Sequence, residues 1–520
     1  MKRVSILNSV LGPIMRGPSS SHTAGPWRIG RMARDLLGSP PRRAVFTFAP
    51  GSSLAVCYAD QGSDRAYVAG LLARPLTDPG FAHMLDLAPR EKLDVRFEVS
   101  PFAEADHPNS ALLTLTGKDG REIVLHSRSV GGGSFEIASL NCVPLLLNGD
   151  SWVVFCEGGP GSMEEMEKLL SPWAQHLEGL PGGERVVLLG TSSLPPEEGF
   201  FERLSDSPAV RNFFAANPVM HPLSGKELFT DAASMEIFAR EKGVSLGQAA
   251  LAYESALLNL EETALMKEME ERLDIMLGAV ERGLTGKIAS MKLMAPLAEK
   301  LWTAEEKGKM FLGGPHARTA IRSLAALHEC ASGGVVCAAP TGGAAGVIPG
   351  VMATLTEDFG ISRDKILMAL WAAGAIGLFH DIHSTFSAEV AGCQVEIGAA
   401  GAMAAAGVTE AAGGTPRQGC DAAALVFQNV MGSVCDLVQG VVEIPCHSRN
   451  AALASQAFLC ADLVLGGYES PVPLDETIGA VDSVGRMLPE ELRCTSKGGL
   501  ALCPSARNMP RLDRTKKEEI

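Results

Sequence analysis

Aromatic residues are scarce in this chain of 520: Phe, Trp and Tyr make up 5%, while glycine alone contributes 56 residues. With few rings to fill space, the core must come from Ala, Gly, Leu and Val, which implies close approach of helices and backbone. Positive charge is in deficit. A net charge of −15 leaves little basic surface for a polyanion, so no nucleic-acid partner is expected. The start Met1-Lys2-Arg3-Val4-Ser5-Ile6 lacks the apolar core of an export signal, and the Ala/Gly run at 398–407 is too short to span a bilayer. The expectation is a cytoplasmic protein with no membrane partner, whose 12 cysteines are reduced thiols or metal ligands. No Cys-x-x-Cys pair occurs, which removes support for zinc-finger and thioredoxin readings. No lysine-centred motif speaks for a pyridoxal-phosphate enzyme.

What is present is concentrated between residues 372 and 455. Three cysteines stand there in polar or glycine-flanked settings: Gly392-Cys393-Gln394-Val395-Glu396, Val434-Cys435-Asp436 and Pro445-Cys446-His447-Ser448-Arg449-Asn450. They are far enough apart that only folding can unite them. A free cysteine is ordinarily a small buried hydrophobe; three thiolates brought together are also what holds an iron–sulfur cluster.

The surrounding motifs resemble those of the iron–sulfur L-serine dehydratases. Gly392-Cys393-Gln394-x-Glu396-x-Gly398, Cys435-Asp436 and Ile444-Pro445-Cys446-x-x-Arg449-Asn450 are similar to the α domain of that family, as are Ala339-Pro340-Thr341-Gly342-Gly343-Ala344-Ala345-Gly346 and Ala372-Ala373-Gly374-Ala375-Ile376-Gly377. Near the start, Gly17-Pro18-Ser19-Ser20-Ser21-His22-Thr23-Ala24-Gly25-Pro26 resembles its β domain. The resemblance implies a [4Fe-4S] cluster on Cys393, Cys435 and Cys446, with the fourth iron open as a Lewis acid. The activity implied is removal of the β-hydroxyl of a small hydroxy acid, L-serine to pyruvate and ammonia. A related alternative is dehydration of a 2-hydroxymethyl dicarboxylate such as 2-hydroxymethylglutarate. A non-catalytic iron–sulfur sensor is the alternative of another class.

The expected fold is α+β and multidomain. Residues 1–140 read as a mixed α/β domain, 141–222 as an α/β insertion or linker, 223–505 as an all-helical catalytic domain carrying the cluster, and 506–520 as a charged tail expected to be disordered. Within the first, a helix is expected at 27–37 and strands at 44–48, 93–99, 111–116 and 123–130. The insertion reads as strand 152–155, helix 162–180 broken near Pro172, and strand 186–189. Downstream, helices are expected at 235–242, 246–271, 273–282, 364–379, 398–406 and 450–465.

Candidate site residues follow from these motifs. His22 is the leading base, with His107 and His126 behind it. Ser19, Ser20, Ser21, Thr23, Asn109, Ser129, Thr341, Gly342, Arg449, Asn450 and Lys497 are candidates for binding the substrate carboxylate or supporting the cluster; Arg449 could clamp a carboxylate bidentately. The sequence departs from the family at four places. Where a Gly-His pair is usual it reads Asp60-Gln61-Gly62-Ser63-Asp64, Gly342 replaces a common Asn, the segment Glu389-Val390-Ala391-Gly392 is one residue longer, and Cys503 sits earlier than the usual tail cysteine. Cys503, restrained by Pro504, is therefore expected to leave the fourth iron uncapped. A small hydroxy acid is the expected partner, and a homodimer the expected assembly.

Overall fold

The computed structural model describes residues 2–288 and 291–513. Two compact units emerge, Met1–Ser21 with Gly225–Ile520 in their described residues, and His22–Ser224.

The 22–224 unit opens with the helix Ala24–Leu37, which buries Ile29, Met32, Ala33, Leu36 and Leu37 and stops at Gly38 in the left-handed region (φ +76). It lies against the helix Ser63–Leu71 through glycines: a Cβ on Gly70 would stand 2.3 Å from the Trp27 carbonyl oxygen, so only glycine fits that contact. The first six-stranded sheet runs in the spatial order Asp94–Val99, Pro41–Phe48, Ser110–Gly117, Glu122–Gly131, Ser134–Leu140 and Val143–Leu147. The first pair is parallel and the others antiparallel. Alternation places Phe46 and Phe48 inward, against Tyr67.

Residues 152–216 form a β-α-β-β-α-β repeat. The strand order is Asn212–Ala216, Trp152–Gly158, Val186–Ser192, His176–Leu180, antiparallel throughout. Its own core joins Val154, Cys156, Met166, Leu170, Leu188, Phe200 and Leu204. One expectation is corrected here. The helix read over 162–180 ends at Leu170, and His176–Leu180 is an edge strand paired with Val187–Thr191. Ser171 keeps a helical conformation (φ −53, ψ −35), but Pro172 has no N–H to continue the ladder, and after one closing turn, Ala174 N to Leu170 O at 2.8 Å, the chain finds ladder partners in the adjacent strand.

In the other unit the N-terminal segment is firmly tied to helices. The buried Glu254 carboxylate accepts the Ile6 and Leu7 amides at 2.9 Å, and Lys2 pairs with Asp381 at 2.7 Å. Ile14–Arg16 pairs antiparallel with Val335–Cys337, so the region read as all-helical from 223 onward contains one strand, completed from the start of the chain. The long helix read over 246–271 is two, Leu246–Leu258 and Glu262–Leu284. The break is Asn259, whose left-handed conformation (φ +56) caps the first helix. At the centre, Arg363–His383 packs on Ile397–Ala411, which is flanked by Val347–Glu357, Pro416–Val430 and Cys446–Leu465. Arg363–His383 is the one described helix long and apolar enough to cross a membrane, and 83% of its apolar window is buried within the protein. The tail is ordered at its beginning: Pro504–Arg507 is a helical turn, Gln439 donates to the Ala506 and Met509 carbonyls, and the Leu512 amide donates to Lys292. The rest of the expected charged tail lies outside the described residues.

This core buries neutral imidazoles. His380 stacks on Phe427 (5.1 Å between centroids), and burial lowers it to about 4; burial also lowers His328 to about 4. In the unfolded chain both would bind a proton near pH 6.5, so the unfolded state holds more protons between about 6.5 and about 4. The contribution of these two imidazoles to stability is therefore full above pH 6.5 and falls as pH drops through that window. Urea midpoints measured from pH 8 to pH 4 should fall less steeply for His380→Gln than for the parent.

Candidate active site

The three motif cysteines come from three different elements. Cys393 opens the turn Cys393–Val395, directly after Gly392 at φ +77, where a Cβ would stand 2.6 Å from the Ser433 carbonyl oxygen. Cys435 lies in an extended stretch that bridges to Arg493. Cys446 is the first residue of the helix Cys446–Leu465. All three are buried, and folding brings them together: the Cys393 and Cys435 thiols hydrogen-bond, and Cys446 lies within electrostatic reach of both. Contact with Cys435 and then burial push Cys393 well above the ordinary thiol range, and burial does the same to Cys446. For Cys435 the Cys393 contact pulls down, but a hydrogen bond with Cys494 and burial prevail and drive it up.

Arg449 braces this group. Its Nη1 donates to Val434 O at 2.7 Å and reaches Cys393 Sγ at 3.5 Å, and its Nη2 donates to Asp436 Oδ1 at 3.0 Å. Of the two roles read for Arg449, these bonds are those of support. Asp436 is also the anchor of the Thr-Ser-Lys-Gly-Gly motif. Leu500 N donates to its Oδ2 at 2.9 Å, and at Gly499 (φ +59) a Cβ would stand 2.5 Å from that oxygen. Ser496 donates to Leu437 O at 2.8 Å. Lys497, in contrast, makes a surface pair with Glu490 at 3.2 Å, and the structure does not bring it to the cysteines. Cys503 is exposed, capping the turn Pro504–Arg507.

A second layer is built by the loop after Ala339. Asn450 accepts from the Gly346 amide (3.2 Å) and donates to Gly343 O and Cys446 O (2.9 Å each), which ties the loop to the Cys446 helix. Ser20 Oγ accepts from the Gly342 amide at 3.2 Å, and a Cβ on Gly342 would stand 2.8 Å from Ser20 N; the usual Asn is excluded at this spacing. The buried Cys330 thiol donates to Gly342 O at 3.3 Å and reaches Pro18 O at 3.5 Å. Thr341 Oγ1 donates to Glu396 Oε1 at 2.6 Å. Glu396 sits just before the helix Ile397–Ala411. Burial pushes its carboxyl up to about 7, against the pull of the Thr341 bond.

The remaining candidates lie in the 22–224 unit, whose boundary falls between Ser21 and His22. His22 is fully buried, with Nε2 3.3 Å from Ser53 Oγ; Thr23 is buried beside it in sequence. His107 Nδ1 accepts the Asn109 amide at 3.0 Å, a local turn bond. Asn109 O accepts the Ser129 amide at 3.2 Å. Ser129 packs against the start of the helix Ala24–Leu37, where a Cβ on Gly25 would meet its Oγ at 2.3 Å. His126 Nε2 is 3.4 Å from Ser110 Oγ and 3.7 Å from Asp106, and burial lowers it. These bonds give His107 and His126 structural partners.

Among the described residues no set of three His, Cys, Asp or Glu side chains closes on a single ion. An iron–sulfur cluster is instead held by cysteine thiolates. Such a group fits the donors present: three buried thiols, which burial, and for Cys393 its contact with Cys435, keeps from ionising until a cationic centre takes up the charge.

This arrangement is a buried group of cysteines in a helical unit. The family model for the serine dehydratase alpha chain matches residues 241–501, which hold all three cysteines. The probable L-serine dehydratase alpha chain of Bacillus subtilis (strain 168) is 36% identical over 283 residues, covering 54% of this chain and 94% of that protein. The L-serine dehydratase alpha chain of Peptoniphilus asaccharolyticus is 34% identical over 262 residues, 50% of this chain and 90% of that one. L-serine dehydratase 2 of Escherichia coli (strain K12) is 33% identical over 282 residues, 53% of this chain and 61% of that one. The chain belongs to the serine dehydratase alpha chain family, and it is a lyase.

Sequence reasoning passed over three participants. Glu396 appeared only as a motif letter; its signal was an acid set among Gly and Ala residues. Asp436 was quoted beside Cys435 without a role. Cys494 was given no site role, and its contact with Cys435 comes from pairing between distant segments.

Proposed function

We propose that this chain dehydrates a small β-hydroxy acid, with L-serine first among the substrates, through a [4Fe-4S] cluster held by Cys393, Cys435 and Cys446. The observation that carries the reading is the meeting of these three buried thiols within the matched region. The names of the relatives supply the substrate. When bound, the cluster would supply Lewis acidity toward the leaving hydroxyl.

The chain's own residues account for the rest. Arg449 holds the cysteine group in register through Val434 and Asp436. Asn450 fixes the loop 341–346, the Gly342 amide holds Ser20 in place, and the hydroxyls of 19–21 are neutral donors suited to a carboxylate. Glu396 takes the α-proton. Its affinity near 7 suits a base at neutral pH, and Thr341 orients it through one oxygen. The α C–H pair becomes the new double bond, hydroxide departs with the C–O pair, and the enamine from serine hydrolyses to pyruvate and ammonia. His22 remains the rival base. The altered segment Gln61-Gly62-Ser63 favours a second reading, in which the substrate is a 2-hydroxymethyl dicarboxylate without an amine. A homodimer is the proposed assembly.

The test is anaerobic reconstitution with iron and sulfide, followed by a screen of L-serine, L-threonine and 2-hydroxymethylglutarate. Pyruvate and ammonia from L-serine in equal amounts are expected. Turnover of the dicarboxylate alone would move the assignment to the second reading, and no turnover by iron-loaded protein would refute both.

A further inference from the structure

We propose that Cys494 is the disulfide partner of Cys435, a modification site available only while no cluster is bound; the second clause rests on the reading of Cys435 as a cluster ligand. The two segments are joined by a pair of backbone bonds. Cys435 N donates to Leu492 O at 2.8 Å, and Cys494 N donates to Cys435 O at 2.9 Å, which makes a parallel bridge centred on Arg493. Residues linked so directly have Cα atoms within the range that a disulfide spans. Cys494 is in the left-handed region (φ +61), as is Ser496 (φ +55), so the segment turns sharply, and the Cys494 thiol lies within hydrogen-bonding reach of Cys435. Both are buried. The turn is pinned on either side of Cys494: Arg493 Nη2 donates to Arg486 O at 2.7 Å, and Thr495 Oγ1 to Glu491 O at 3.1 Å.

Cys393 is the competing partner, since it also touches Cys435. Among the described backbone bonds, however, none joins Cys393 directly to Cys435, and Arg449 Nη1 engages its sulfur at 3.5 Å. Oxidation by hydrogen peroxide balances simply. The two thiols give up their hydrogens, the S–S bond forms, and peroxide accepts two electrons and two protons to become two waters. A cluster and this disulfide compete for one sulfur, so each excludes the other. The pairing would hold a ligand sulfur in a form that a dithiol can restore, instead of letting it pass to sulfinic or sulfonic acid.

The experiment uses the full chain, stripped of iron anaerobically by a chelator and treated with one equivalent of hydrogen peroxide. Remaining thiols are alkylated, and the unreduced tryptic digest is analysed by mass spectrometry. The expected product is the peptide 494–497 linked to the peptide 418–449, with fragmentation placing the link at Cys435 rather than Cys420 or Cys446. Cys494→Ser should abolish the link, raise irreversibly oxidised Cys435 severalfold, and lower iron uptake after peroxide and dithiothreitol severalfold. Untreated, it should take up iron like the parent. Cys420→Ser should keep the link. A Cys393–Cys435 link, no link, equal protection of Cys435 in Cys494→Ser, or loss of iron uptake by the untreated variant would each overturn the proposal. If the link forms but the parent never binds iron, the pairing stands and the ligand reading fails.

Discussion

Cys393→Ser, Cys435→Ser and Cys446→Ser are each expected to lose the brown colour of anaerobically prepared protein, with iron falling from about four per chain to near zero. A serine oxygen is a poor replacement for thiolate at iron, and the buried site offers no exchange of ligand with solvent. Turnover should fall to background in each. Cys156→Ser should keep its iron, because Cys156 belongs to the separate core of residues 152–216. Colour, iron analysis and absorbance near the sulfide-to-iron band give three readouts. A colourless preparation with full activity would sink the cluster assignment.

Glu396→Gln is expected to keep iron and lose roughly 10²–10⁴-fold in turnover, the range of a lost general base. In the parent, turnover should rise with pH through about 7 as the carboxyl ionises. Stability should run the other way. The folded state keeps this proton where the unfolded chain, near 4.5, has released it, so folded-state stabilisation is full below about 4.5 and is lost as pH rises through about 7. The midpoint of the cluster-free parent relative to that of cluster-free Glu396→Gln should therefore decline as pH rises through that window. Near-normal turnover would transfer the base to His22, and His22→Ala would then carry the large loss.

Much of this site could be read from the sequence because its parts are short motifs with fixed partners. The cysteines, the Thr341-Gly342-Gly343 loop and Asn450 each stand in such a motif, although the contacts they make there, Thr341 with Glu396 and Asn450 with Gly343 and Gly346, join distant segments. Local pattern also located four strands of the six-stranded sheet and helices such as Ala24–Leu37, Arg363–His383 and Cys446–Leu465 to within a few residues, but it passed over the strands Ser134–Leu140 and Val143–Leu147 and the helices Gly314–Ala331, Val347–Glu357, Pro416–Val430 and Leu474–Met487. It failed where long-range pairing decided the outcome. His176–Leu180 became a strand because Val187–Thr191 offered a ladder. Asn259 broke a helix-forming run by adopting a conformation to which propensity is blind. Lys497 belongs to a retained motif in which Gly499 and the Leu500 amide, not the lysine, meet Asp436. Glu396 was hidden for another reason: its proton affinity comes from burial, which no single residue announces.

The strand Ile14–Arg16 and the Ser20 contact with Gly342 have a consequence for dividing the chain. A cut at residue 224 looks like a natural place to separate two proteins, since the family match begins just beyond it. A fragment made that way would leave Val335–Cys337 as an unpaired edge, deprive Glu254 of the amides it binds, and remove one wall of the Gly342 loop. The helical unit is thus discontinuous in the gene: its residues up to Ser21 are encoded before the other unit, and any dissection has to carry them along.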